Sequence, residues 1–162
     1  MQVLWAPWRM AYVTGPKTSG CIFCSAVETT EPRAQLVLLQ HPAVVMLNKF
    51  PYANGHLMVA PRQHVAALGA LSRNEHHTVM DVLRRVATLI TEAFHPDGLN
   101  IGLNQGAADG AGVADHLHWH LVPRWTGDTN FMPMLADVRV IPEHLEATFE
   151  RLQPLFRDFR LG

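Results

Sequence analysis

Apolar and polar positions alternate with period two in several short stretches of this chain and with a helical period in longer ones. "VVMLNKFPYANGHLMVAP" predicts two strands, near Val44 to Asn48 and His56 to Pro61, joined through a turn at Pro51 and Asn54-Gly55. Ser72 and Glu75 have capping-box spacing. Val79, Val82, Leu83, Val86, Leu89, Ile90 and Ala93 then recur as one helical face until "HPDG" breaks the run. "LNIGLN" at 99–104 predicts a further strand. After a glycine-rich "NQGAADGAGVAD", the alternating "ADHLHWHLVPRW" at 114–125 predicts another. A short strand-like "VRVI" and a last helix from Pro142, with Leu145, Phe149 and Leu152 on one face, complete the pattern.

Most of these strands follow one another without an intervening helix, so a parallel arrangement fits poorly. The expected class is α+β: an antiparallel sheet of about five strands, with the long helix and the C-terminal helix packed on one face. The 162 residues suit one domain spanning 1–162, large enough to bury about two thirds of the surface the unfolded chain exposes. Repeats, low-complexity tracts and linkers are not evident.

Composition narrows the class. Apolar residues make up 48% and charged ones 17%, without a run of about 20 apolar residues, which predicts a soluble globular protein with no membrane association. "MQVLWAPWRMAYVTG" lacks the apolar stretch and cleavage site of a secretory signal, so the expected location is the cytoplasm. Thirteen basic against fourteen acidic side chains offer no long-range field for nucleic acid, so an anionic ligand must be held by local groups. Trp5, Trp8 and Arg9 read as packing of the amino-terminal arm, and Met46 and Met58 as core. His56, just after a turn glycine, reads as structural; His41, His76, His77 and His144 are assigned no chemistry.

Ten histidines are the unusual total, and three of them share one predicted strand. On a strand His116, His118 and His120 point to one face at spacings of roughly 7 Å, while Leu117, Trp119 and Leu121 point to the core. A neutral imidazole can ligate a metal, attack as a nucleophile or move a proton. Metal sites built on such a strand usually recruit a carboxylate, and "WHLVPRWTG" at 119–127 has none, which weakens a metalloenzyme using all three as ligands. Phosphorus chemistry fits better: one imidazole attacks a phosphoryl centre, forms a covalent intermediate and releases it, while its neighbours orient it and protonate the leaving group. The loop before the strand can present backbone N–H groups to phosphoryl oxygens, with Asn104 and Gln105 adding amides. Of the nearby cations Lys49, Arg62 and Arg124, the last is the first choice for a phosphate. A nucleotide-binding module with little turnover is the remaining rival.

The run His116-Leu-His118-Trp-His120-Leu-Val, with "NQGAADGAG" and "LNKFPYANGHLMVAPRQH" before it, resembles the histidine triad family of nucleotide hydrolases and transferases. "LWAPWRMAYV", "CIFC" and "PRWTGDTNFMP" are more similar to the bacterial branch that includes diadenosine tetraphosphate phosphorylases. The resemblance implies an α+β homodimer acting on the α-phosphate of a nucleotide or dinucleoside polyphosphate, with no organic cofactor. It makes His118 the covalent nucleophile and His116 and His120 its helpers. It places Asn48 against the nucleotide, and Asn104, Gln105 and Gly112 near the phosphates. Where family members often carry Gly-Gln-Ser or Gly-Gln-Thr before the triad, this chain reads Gly112-Val113 and lacks the hydroxyl.

Cys21-Ile-Phe-Cys24 has the spacing of a zinc half-site, and His64 is one candidate for a further ligand. From the residues alone, a structural zinc, a metal-free reduced pair and a redox pair all stand. The resemblance to the wider superfamily implies that His64 and His116 complete the zinc. His116 would then anchor the strand rather than move protons.

Overall fold

The computed structural model describes residues 20–106, 115–128 and 143–161. Gly112 with most of the glycine-rich loop, "VRVI", Pro142 and the aromatic residues near the amino terminus lie outside them. The elements are α1 (Ile22–Glu28), β1 (Val37–Leu39), β2 (Val44–Leu47), β3 (Leu57–Ala60), a 3-10 turn (Leu68–Ala70), α2 (Arg73–Phe94), β4 (Gly98–Leu103), β5 (Trp119–Arg124) and α3 (Leu145–Phe156). The strands form one antiparallel sheet in the order β1-β2-β3-β5-β4, the expected α+β class.

Register explains the two faces. Val45 pairs with Val59 and Val59 with Trp119, while Leu47 pairs with Leu57 and Leu57 with Leu121. These six side chains meet Val79, Val82, Val86 and Ile90 of α2 and Phe149, Leu152 and Phe156 of α3 in the main core. The alternate positions Val44, Met46, Met58 and Ala60 form a second apolar cluster with Phe23 and Ala26 of α1. The long helix and the C-terminal helix thus share one face, as expected, and what the sequence reading lacked is a further helix. Helix α1 covers the other, and it escapes a periodicity search because its seven residues bury only Phe23 and Ala26.

Helix α2 starts and ends where its sequence signals lie. The Ser72 hydroxyl accepts from the Glu75 N–H, and the Glu75 carboxylate accepts from the Ser72 N–H. At the other end His95 adopts a left-handed conformation (φ 48°) and its N–H bonds the Thr91 carbonyl. The hairpin turn between β2 and β3 uses Gly55 at φ 73°, a conformation that favours glycine, and there the backbone passes close to Phe94 and Pro123.

The predicted histidine strand is shorter than expected. Pairing begins at Trp119, so His116 and His118 precede the strand. The reason lies in its neighbours: β4 ends at Leu103, opposite Trp119, and β3 gives way to Pro61, which has no N–H to continue a ladder. The Leu117 N–H instead donates to the Val65 carbonyl at 2.7 Å. The alternation survives, because Leu117, Trp119 and Leu121 all enter the main core.

Candidate active site

The main-core anchors turn the three imidazoles onto the face covered by α1, where they separate into two groups. His118 and His120 lean together, with ring centroids 4.8 Å apart. His116 faces the cysteines instead, its Nδ1 3.2 Å from Cys21 Sγ and 3.7 Å from Cys24 Sγ. Phe23 lies against both groups, 5.1 Å from the His116 ring and 4.8 Å from that of His118.

Hydrogen bonds assign the ring protons. The His118 side chain is almost wholly buried, and its Nδ1 lies 2.8 Å from the His116 carbonyl, which can only accept. Nδ1 therefore carries the proton and Nε2 keeps its lone pair. His120 is fixed by a fourth histidine. The Tyr52 N–H donates to His56 Nδ1 at 3.1 Å, which leaves the His56 proton on Nε2. That N–H donates to His120 Nδ1 at 2.9 Å, so the His120 proton sits on Nε2. His118 thus offers a bare nitrogen beside a neighbour that carries an N–H.

The same burial keeps these rings neutral. Desolvation, with the adjacent His120 and His118 adding to it, pushes His56 down to about 3. Desolvation and then the neighbouring His118 push His120 down to about 4. His118 is lowered chiefly by burial, opposed by its bond to the His116 carbonyl. Near neutral pH the set holds uncharged imidazoles, the form that can attack or relay a proton. Sequence reasoning reads His56 as structural only. A buried histidine in register with the hairpin turn was the available signal, but its partner His120 lies 64 positions away.

The other candidate residues divide. Asn48, at the end of β2, gives its N–H to the His56 carbonyl at 2.9 Å and accepts the Phe50 N–H at its side-chain oxygen, so it borders the histidines. Asn104 is the first residue past the Leu103–Trp119 pair, at the end of the ladder where the histidine segment enters β5. Gln105 turns to the 3-10 segment and accepts the Leu68 N–H at 2.8 Å. Arg124 is not brought to the histidines. It lies four residues beyond His120 on β5, about 14 Å at strand rise, and grips Asp128 at 2.5 and 2.8 Å. Gly112 lies outside the described residues.

Cys21, Cys24, His64 and His116 form a cluster that could hold a metal ion, their ligand atoms all within 4.8 Å of one another. The donor set fits zinc. Bonds of about 2.3 Å to sulfur and about 2.0–2.1 Å to nitrogen at a tetrahedral angle give N···S separations of about 3.5 Å. Three of the four N···S distances here are 3.2, 3.2 and 3.7 Å. Both histidines aim Nδ1 inward while Nε2 is backed from behind, by the Pro61 carbonyl for His116 (3.0 Å) and by Asp115 for His64 (3.7 Å). That outer support is what orients metal-ligating imidazoles. Sequence reasoning finds the four inner residues but not Asp115.

Residues 29–127 match the HIT domain. The chain belongs to the histidine triad family. Among histidine triad relatives, the AP-4-A phosphorylase of Mycobacterium tuberculosis is 34% identical over 157 residues, covering 91% of this chain and 80% of that protein. The adenosine 5'-monophosphoramidase hnt1 of Schizosaccharomyces pombe is 26% identical over 132 residues, covering 82% of this chain and 95% of its own. A solved zinc-bound histidine triad family protein from Mycobacterium smegmatis superposes with a TM-score of 0.66 at 26% identity, covering 85% of this chain and 93% of that one. Family membership accounts for the fold and supports activity on nucleotides.

Proposed function

We propose that the chain, as one catalytic domain over 1–162, is a nucleotidyl hydrolase or transferase that attacks the α-phosphate of a dinucleoside polyphosphate, with diadenosine tetraphosphate the favoured substrate. The observation that carries this reading is the tautomer of His118: Nδ1–H tied to the His116 carbonyl leaves Nε2 as a free nucleophile. Similarity to AP-4-A phosphorylase supports the substrate class.

In the first step Nε2 of His118 bonds to the α-phosphorus and the bond to the leaving phosphate oxygen breaks. The leaving phosphate departs as an anion, the Nε2–H of His120 donates a hydrogen bond to that oxygen as its charge develops, and His56 holds His120 in place. A nucleoside monophosphate is then bonded to His118. Attack at phosphorus by water or by inorganic phosphate breaks the N–P bond and restores the imidazole. Asn48 and Asn104, flanking the histidines, are assigned to the nucleotide and its phosphates. Gln105, Gly112 and Arg124 are retained as weaker phosphate candidates, Arg124 requiring release from Asp128.

Cys21, Cys24, His64 and His116 are proposed to hold a structural zinc. When bound it supplies rigidity, because the chain fills all four positions. His116 then serves as a ligand and not as an acid or base. The reading of the three triad histidines as a shared metal site loses ground, since His116 is grouped with the cysteines. A homodimer is also proposed, as the resemblance implies. β4 forms one edge of the sheet and carries Ile101 at 47% exposure, which supports it.

The test is incubation with diadenosine tetraphosphate with and without inorganic phosphate. ADP plus ATP appearing only with phosphate identifies phosphorolysis, and AMP plus ATP identifies hydrolysis. His118→Ala is expected to keep nucleotide binding and lose turnover by roughly three orders of magnitude or more. Undiminished turnover in that variant overturns the mechanism.

A further inference from the structure

The cysteine cluster and His118 are joined by two contacts within the chain. His118 donates its Nδ1–H to the backbone carbonyl of His116, whose side chain reaches the sulfurs. Phe23, wholly buried and set between the two cysteines, packs its ring on both His116 and His118. Any movement of the first turn of α1 is therefore felt by the proposed nucleophile. The cluster is also within reach of solvent: both cysteines are free thiols, only partly buried, and His64 beside Cys24 is exposed.

We propose that Cys21 and Cys24 form a reversible oxidation site that switches His118 between productive and unproductive positions. The proposal rests on the zinc and nucleotidyl-transfer readings above. The oxidant is a peroxide. One thiolate attacks a peroxide oxygen, the O–O bond breaks and a sulfenic acid forms with release of water; the second thiolate attacks that sulfur and displaces hydroxide. Two thiols are oxidised to one disulfide and the peroxide is reduced to two waters. A reducing dithiol returns two electrons and restores both thiols.

The geometry states why closure matters. Cys21 is the N-cap residue of α1 and Cys24 lies in its first turn, and a disulfide between them requires Cβ atoms about 3.5–4.5 Å apart and sulfurs about 2.05 Å apart. Sulfurs within 4.8 Å of each other that close to that distance leave the positions from which they face His116 Nδ1, beside the turn that carries Phe23. The oxidised sulfurs no longer hold metal or His116 Nδ1. His118 loses both the ring beneath it and the fixed carbonyl that sets its tautomer.

The experiment treats the full-length, zinc-loaded protein with hydrogen peroxide and then with dithiothreitol plus zinc. Four quantities are followed: released zinc by a colorimetric chelator, free thiols with intact mass, the His118 ring signals in long-range nitrogen NMR, and turnover of diadenosine tetraphosphate. Zinc release in step with loss of both thiols, a mass lower by about two hydrogens, shifted His118 signals and a fall in turnover of about 10- to 100-fold are expected, all reversed by dithiothreitol and zinc. In Cys21→Ser/Cys24→Ser, peroxide is expected to change neither the His118 signals nor the residual turnover. A disulfide that leaves the wild-type His118 signals unmoved overturns the proposal, as does equal peroxide sensitivity of the double variant. If the protein carries no zinc but the disulfide forms and His118 responds, the zinc reading fails and the switch stands. If no substrate is turned over, the nucleotidyl-transfer reading fails, and the His118 signals still decide the switch.

Discussion

His56→Phe removes one link in the chain of protons while keeping a ring of similar volume. The side chain is wholly buried, and the ring stacks on Tyr52 at 4.9 Å, a contact phenylalanine preserves. What disappears are two hydrogen bonds, from the Tyr52 N–H at 3.1 Å and to His120 Nδ1 at 2.9 Å. Leaving a buried donor or acceptor unsatisfied costs about 1–3 kcal/mol, and Tyr52 and His120 are both partly solvated, so the expected loss of stability is about 2–4 kcal/mol. The catalytic effect is separate. Without the His56 N–H, His120 can take either neutral tautomer and loses its fixed orientation. Full removal of a hydrogen-bond donor aimed at developing charge costs about 10²–10³-fold. Misplacing one should cost less, so kcat is expected to fall about 10- to 100-fold with KM changed less than about threefold. Urea denaturation and steady-state kinetics on diadenosine tetraphosphate measure the two losses. Lower stability with kcat within about twofold of the parent would refute the positioning argument and leave His56 a packing residue.

Three further outcomes follow from the same geometry. His56 and His120, held at about 3 and about 4, stay neutral where the unfolded chain, with ordinary values near 6.5, takes up protons. Their contribution is fully present above about pH 6.5 and lost as pH falls toward 4; allowing for the partial exposure of His120, about 1–2 kcal/mol should go between about pH 6.5 and 5.5, and denaturation midpoints that rise over that range would contradict it. Stripping the cluster with a strong chelator should release one metal ion per chain, lower the melting temperature and speed amide exchange in α1 first, since structural zinc contributes on the order of 10 kcal/mol to folding of small metal-bound domains. Unchanged exchange in α1 would count against a structural metal. Gly55→Ala forces a Cβ to 3.2 Å from Phe94 and 3.3 Å from Pro123 at a φ of 73°. It should cost about 1–3 kcal/mol and disturb the turn that delivers His56; thermal melting matching the parent would exclude that strain.

Much of the site was legible because its signals are local. The capping box at Ser72 and Glu75, the Asn54-Gly55 turn and the apolar alternation of Leu117, Trp119 and Leu121 each act within a few residues, and each appears where its sequence places it. Helix α1 was not legible, because one buried aromatic and one buried alanine in seven residues make no periodic signal. The start of β5 was misplaced for a non-local reason: the alternation continues through His116, but the neighbouring strands end, at Pro61 and at Leu103. Arg124 looked available for phosphate because Asp128, four residues on, is recognisable as its partner only once the loop is folded. Asp115 behind His64 was hidden in the same way.

The sequence by itself determined which residues carry the chemistry. Three histidines at alternating positions, a cysteine pair at metal-ligand spacing and a hairpin before them follow from periodicity and residue type, which short-range sterics enforce. The tertiary structure alone decided how the histidines divide. His116 and His118 are separated by one residue, yet one faces two sulfurs and the other faces His120. His56, His64 and Cys21 reach their partners across 64, 52 and 95 positions, as the numbering of His56–His120, His64–His116 and Cys21–His116 gives. Which nitrogen of each ring holds its proton depends on those distant partners. A pattern along the chain sets the direction of a side chain, but only packing sets what stands opposite it.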